Sequence, residues 1–272
     1  MTLFNASGHL VPLHRFRELL RQGADPSELW RSPEGTHYEI RSALLLAAKS
    51  VDGLAYLRAL LDASDVDLTI ADLQGRTALH LATVYGNVDA LRCLLRAGAD
   101  VHAVDTHGQT ALHYACQAVD DKPMRLLLEV GADPNVPNFA GRAALHETLM
   151  AYTTWPKPLE DKVALLLAYG AKVDQPGTDR ITPLYAAASA GWARLVATLL
   201  EAGADPQFHA ANGERPVDAV QRQLAVGPGR KATALQATYS VLVAHDRKQL
   251  QRVALSSIGA QLPAWKPLER RM

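Results

Sequence analysis

Three histidines, His80, His113 and His146, stand 33 residues apart. Imidazole binds metals and moves protons near neutral pH, so an evenly spaced set is the first place to look for chemistry. The zinc-protease arrangement fails at once. His146-Glu147 is followed by Thr148-Leu149-Met150-Ala151, without the second histidine that such a helix needs. Cys116 comes three residues after His113, a separation at which a thiol and an imidazole could form a nucleophile pair. Gly227-Pro228-Gly229, followed by Arg230-Lys231, lacks the preceding strand and the Gly-Lys-Ser/Thr ending of a phosphate loop. It reads as an ordinary connection. Asn5-Ala6-Ser7 is a glycosylation sequon, but sequons are used only on secretion. No catalytic set, no metal site and no cofactor is expected.

Composition narrows the classes further. The chain has 272 residues, 48% of them hydrophobic and 21% charged, which fits a folded protein rather than a disordered one. Strictly apolar runs such as Ala43 to Ala48 are far too short to cross a bilayer. The N-terminus lacks the basic and apolar regions of a secretory signal. Two cysteines, Cys93 and Cys116, cannot staple a fold and suit a reducing cytosol. Arginine outnumbers lysine by 20 to 8 and alanine is abundant, a bias that points to a bacterial source. A cytoplasmic location is expected, with neither membrane nor nucleic acid as partner. The formal charge is zero, 28 basic against 28 acidic residues. That sum hides a polarity. From Pro228 onward there are eight basic and two acidic residues, so the rest is acidic by the same excess.

The histidine spacing belongs to a longer repeat. GRTALHLA (75–82), GQTALHYA (108–115) and GRAALHET (141–148) align directly, and ITPLYAAA (181–188), ERPVDAV (214–220) and RSALLLAA (41–48) are weaker copies. A second landmark, Gly-Ala-Asp, recurs at 98–100, 131–133 and 203–205, with Gly-Ala-Lys at 170–172. Thr77 to Gly98, Thr110 to Gly131 and Thr182 to Gly203 each span 21 positions, whereas Ala143 to Gly170 spans 27. Six extra residues therefore fall between the two landmarks of that copy.

Each copy reads as two helices. Thr77 and Thr110 suit an N-cap. Leu79, Ala82, Leu112 and Ala115 recur at helical spacing and give a small apolar face. Gly86 and Gly191 separate the first helix from the second, which carries Val88, Leu91, Leu94 and Leu95 in one copy. Gly98, Gly131, Gly170 and Gly203 then stop it. Asp105 and Gly108 mark a projecting turn before the next copy. Cys116 takes a small-residue position and Cys93 lies among leucines, so both are expected in the core.

These landmarks resemble the ankyrin repeat, over roughly Leu13 to Val226. The resemblance implies an all-α solenoid of helix-turn-helix units with projecting hairpin-like turns, a degenerate N-terminal cap and a helical C-terminal cap. It also implies that each motif histidine ties adjacent turns together. The expected boundaries are a capping repeat at 1–33, an array at 34–226 with an insertion near 150–160, a capping helix at 227–261 and a tail at 262–272. Leu13 to Asp25 reads as the second helix of the first repeat, with its first helix squeezed into Met1 to Leu10. A helix from Lys231 to about Leu255 places Leu235, Tyr239, Leu242, Leu250 and Val253 near one stripe.

In such an array the turns and the edges of the first helices face a partner. The expected contact residues are Leu73, Arg76, His107, Gln109, Phe139, Arg142 and Asp179 at the turns, and Tyr85 and Gln117 on first helices. Tyr152 and Trp155 come from the insertion. The function expected is non-catalytic binding of another protein, a toxin or an enzyme, by a chain that is monomeric on its own. Bacterial immunity, effector and adaptor roles all fit, and an enzyme with a C-terminal site is the contrasting class.

Overall fold

The computed structural model describes residues 3–4, 9–27, 29–30, 41–63, 66–150, 158–226 and 231–261. They fall into two compact units, Met1–Thr178 and Asp179–Met272. The expected sequon, the Gly227–Gly229 turn, the tail beyond Gln261 and the insertion residues 151–157 lie outside the described residues.

The first unit holds nine helices among its described residues: α1 (Leu13–Arg21), α2 (Ala43–Lys49), α3 (Leu54–Leu61), α4 (Ala78–Val84), α5 (Val88–Arg96), α6 (Ala111–Gln117), α7 (Lys122–Glu129), α8 (Ala144–Met150) and α9 (Pro158–Ala168). The helices pair within each repeat, and like helices stack between repeats. Helix α4 lies between α2 and α6, and α6 between α4 and α8; α5 lies between α3 and α7. The stacking needs small side chains. Ala78, Ala82, Ala111, Ala115 and Ala144 are all buried, and Leu79, Leu112 and Leu145 fill the space beside them. Leu91, Leu94, Met124 and Leu127 close the second-helix layer.

Landmark residues start and stop these helices as their types suggest. Ser42 caps α2 by accepting the Leu45 N–H at 3.1 Å. At the far end of α7, Gly131 adopts φ +93°, and the amides of Gly131 and Ala132 close on the carbonyls of Leu128 and Leu127. The aspartate of Gly-Ala-Asp has its own task. Asp100 and Asp133 accept the amides of His102 and Asn135 at 2.9 and 2.8 Å and so turn the chain into the next hairpin.

The N-terminal end departs from expectation. Phe4 pairs with Leu10 as an antiparallel bridge, so the described part of the first ten residues is extended rather than helical. Helix α1 buries Phe16 and Leu19 as expected. A short antiparallel ribbon, Leu29–Trp30 with Arg41–Ser42, precedes α2.

The second unit contains α10 (Pro183–Ala190), α11 (Ala193–Glu201), α12 (Pro216–Ala225) and α13 (Ala232–Gln261). Helix α10 packs on α11 and α12, and α13 packs on α11 and α12 in the place of a second helix. Leu235, Thr238 and Leu242 are its buried stripe. Leu250, expected on the same stripe, is 71% exposed, because from Arg247 to Arg252 no described residue of α13 is covered.

Candidate functional site

The histidines occupy the bases of the turns. His80 is fully buried. Its Nδ1 accepts the Thr77 N–H at 3.2 Å, and its Nε2 lies 3.0 Å from the Gln109 carbonyl. That assigns the proton to Nε2, which donates across to the next turn. His113 repeats the arrangement, accepting from Thr110 N–H at 3.1 Å and reaching the Arg142 carbonyl at 3.1 Å. Burial pushes both imidazoles below the usual histidine range, against the carbonyls that favour the charged form. Neutral, buried rings with both nitrogens engaged are structural. Among the described residues, no group of three or more His, Cys, Asp or Glu side chains is placed to hold a metal. Cys116 is fully buried, and burial pushes its thiol up to about 12. Cys93, expected in the core, is only half-buried on α5.

A second polar layer sets the turns. Asp72, Asp105 and Asn138, again 33 apart, each accept two backbone amides with Oδ1: those of Gln74 and Arg76, of His107 and Gln109, and of Ala140 and Arg142, all between 2.8 and 3.0 Å. Their other side-chain atom differs in each repeat. Asp72 Oδ2 takes Arg76 Nε and Nη2 at 2.8 and 2.7 Å. Asp105 Oδ2 takes the Tyr114 hydroxyl at 2.6 Å. Burial would raise the Asp105 carboxyl, but the Tyr114 hydroxyl and two backbone amides outweigh it and hold it below its ordinary value. Asn138 donates to Glu147 Oε1 at 2.9 Å. Glu147 is buried; it forms an ion pair with the Arg142 guanidinium at 2.9 Å and accepts a hydrogen bond from Gln117 Nε2 at 3.0 Å.

The turn tips join edge to edge. Thr106 N–H and its hydroxyl both donate to Gln74 O at 2.9 Å, and Phe139 N–H donates to His107 O at 2.9 Å. The Thr178 hydroxyl donates to the Ala140 carbonyl. On this strip Leu73 is 56% exposed and Phe139 79% exposed. The Phe139 ring rests against Gly108, where a β-carbon would meet its Cδ1 at 2.7 Å. Tyr85, 49% exposed at the end of α4, carries the Lys49 ammonium 5.2 Å from its ring centroid.

The expected contact residues therefore separate. Leu73, Tyr85, His107, Gln117 and Phe139 present exposed surface, with Gln117 also donating to Glu147, whereas Arg76 and Arg142 pair with neighbouring carboxylates and Gln109 serves the turn through its backbone. Tyr152 and Trp155 lie outside the described residues. Asp179 falls in the 3-10 turn Thr178–Arg180, and its side chain is likewise outside them. Sequence reasoning missed Glu147, whose only signal was a carboxylate at a position that carries Tyr114 one repeat earlier.

The second unit has a cavity of about 660 Å³ lined by Leu200, Ala204, Pro206, Arg215, His245 and Leu250 among others. Its polar groups engage one another. Arg215 pairs with Asp218 at 2.9 Å and donates to Gln207, which donates to Asp246, while Gln249 meets His245 at 3.2 Å. Nearby, Tyr185 and Arg222 both bind Glu214.

A family description reading "Ankyrin repeats (3 copies)" matches residues 15–105 and 44–138, and "Ankyrin repeat" matches 179–211. The chain belongs to the ankyrin repeat family. Solved ankyrin structures agree. The ankyrin repeat domain of Bcl-3, described as a unique member of the IkappaB protein family, is 25% identical with a TM-score of 0.65, covering 85% of this chain and 95% of that one. An ankyrin repeat domain from Acinetobacter baumannii AYE is 26% identical, TM-score 0.64, covering 75% and 97%. A further ankyrin repeat protein, 22% identical with a TM-score of 0.63, supports the fold alone. No curated protein matches the sequence. Ankyrin repeats generally mediate protein–protein interaction and are typically non-catalytic scaffolds. Among the described residues, no helix is long and apolar enough to cross a membrane.

Proposed function

We propose that this ankyrin protein is a non-catalytic binding module that grips a partner protein through the turn tips and first-helix edges of its first unit. The observation that carries this is Phe139. It is a large aromatic, mostly exposed, yet its backbone is held by the N–H donated to the His107 carbonyl and its ring by contact with Gly108. A rigid exposed aromatic costs little entropy to bury, which suits a binding anchor. Leu73 and Tyr85 extend the apolar surface. Residues 34–226 form the array, and α13 serves as its C-terminal cap. The chain works as a cytoplasmic monomer of bacterial origin, and neutralising a toxin as an immunity protein is the role we favour over effector or adaptor.

The test is a Leu73→Ala/Tyr85→Ala/Phe139→Ala variant measured against the partner captured from the native cell. A loss of about tenfold or more in affinity is expected. Unchanged affinity contradicts the proposed face. Arg142 is left alone, because removing it would strand the buried Glu147 and confuse stability with binding. The contrasting reading, an enzyme, rests on the cavity beside α13. The mutual pairing of its polar groups makes it the weaker candidate.

A further inference from the structure

Lys162 on α9 is completely buried. Its Nζ donates to the carbonyls of Ala115 at 3.4 Å and Cys116 at 3.2 Å, and also to that of Ala118. All three lie at the C-terminal end of α6. A buried ammonium is costly unless its hydrogen bonds are met, so its place needs a reason.

Two of the other first helices, α4 and α10, supply that reason. After α4, Gly86 takes φ +65°. Its amide closes on Thr83 O, and the Asn87 amide closes on Ala82 O. After α10, Gly191 takes φ +80°, its amide closes on Ala188 O, and the Trp192 amide closes on Ala187 O. One period after Thr83 and Ala82 stand Cys116 and Ala115, the carbonyls that Lys162 binds. One period after Gly86 stands Val119. A β-branched residue is strained at positive φ, and here the chain leaves α6 in an extended conformation, Ala118 at φ −67° and ψ 154°. Among the described residues, no backbone amide beyond the helix folds back onto those two carbonyls.

We propose that Lys162 is a helix cap supplied across the repeat boundary, replacing the glycine closure that α6 lacks. The positive group sits where the α6 dipole is negative and satisfies the Ala115 and Cys116 carbonyls, which no described amide reaches. The cap comes from α9, the helix that follows the insertion. The end of α6 and the start of α9 are thereby coupled into one cooperative element. The arrangement also frees position 119 to carry a side chain. Val119 is 78% exposed.

The test is a double-mutant cycle on the full chain, read by thermal unfolding and by hydrogen exchange of peptides covering 111–130 and 158–170. Lys162→Met keeps the apolar stem and removes the cap. It should lower the unfolding midpoint by about 3 °C or more and speed exchange in both peptides by about tenfold. Val119→Gly alone should change little. In the Val119→Gly background, Lys162→Met should cost distinctly less, because the glycine can close α6 as Gly86 closes α4. A Lys162→Met chain as stable as the parent overturns the proposal. So does a cost that Val119→Gly leaves undiminished, since Lys162 would then act through packing alone. If Lys162→Met does not fold, the same comparison is made with Lys162→Arg, which keeps the charge but not the fit. Rescue by Val119→Gly is again the expected result, and its absence the contrary one.

Discussion

The bases and the rims of the turns obey different rules. At the base, His80 and His113 make the same bonds one period apart, each accepting its own Thr amide and donating to a carbonyl of the next turn. Asp72, Asp105 and Asn138 likewise make the same pair of amide bonds. Toward the rim the same positions diverge. Arg76 answers Asp72, Tyr114 answers Asp105 and Glu147 answers Asn138. The last two pairs exchange donor and acceptor, so the hydrogen bond survives while the carboxylate moves from the turn to the helix. The base holds the stack, and the rim is where this chain differentiates one repeat from the next.

The largest break in that comparison should come from the base. His113→Ala removes a buried ring and leaves the Arg142 carbonyl without its donor. We expect a loss of about 3 kcal/mol in chemical denaturation, with His80→Ala similar. A loss below that of a surface substitution in either variant would show that the histidine tie is ornamental. Gly131→Val comes next. No atom lies within 4 Å of the added β-carbon, so only the φ of +93° opposes it, and a cost of more than about 1 kcal/mol is expected. A variant as stable as the parent would mean that α7 does not end there.

Acidity tests the base in another way. His80 and His113 sit below their ordinary value of 6.5 in the folded chain. The unfolded chain therefore takes up protons first as pH falls. Stability should be fully present above that value and decline as pH drops from about 7 through 6.5 and below. The slope should shrink when either histidine is replaced, provided the variant remains folded. A parent chain whose stability rises on acidification through this window contradicts the neutral assignment. The smallest effect belongs to the rim. Tyr114→Phe deletes one hydroxyl bond to Asp105 and should cost about 1 kcal/mol without loosening the neighbouring repeats. Its cost exceeding that of His113→Ala would reverse the ranking of base over rim.

Much of the base was legible in the sequence, because it is periodic. Thr77 and Thr110 stand directly before α4 and α6, and Gly98 and Gly131 directly follow the ends of α5 and α7. Exposure of Leu73, Tyr85 and Phe139 could also be read from their place at tips and helix ends. The rim chemistry could not. Arg142 looks like a free cation until Glu147 is seen beside it, and the Glu147 carboxylate draws on Gln117 from the preceding repeat. Lys162 meets carbonyls more than 40 positions earlier, a separation set by the insertion rather than by the period. Leu250 continues a heptad-like stripe, but the elements that would cover it end sooner than α13 does.

The proposal that the tip strip contacts a partner is tested most directly by photo-crosslinking in the native cell. A benzophenone side chain is placed at Phe139, and in a second variant at Val130, which is also exposed but lies at the end of α7 away from the tips. The account predicts a discrete crosslinked protein from position 139 and none from position 130. Crosslinking of a partner from position 130 with none from 139 would contradict it.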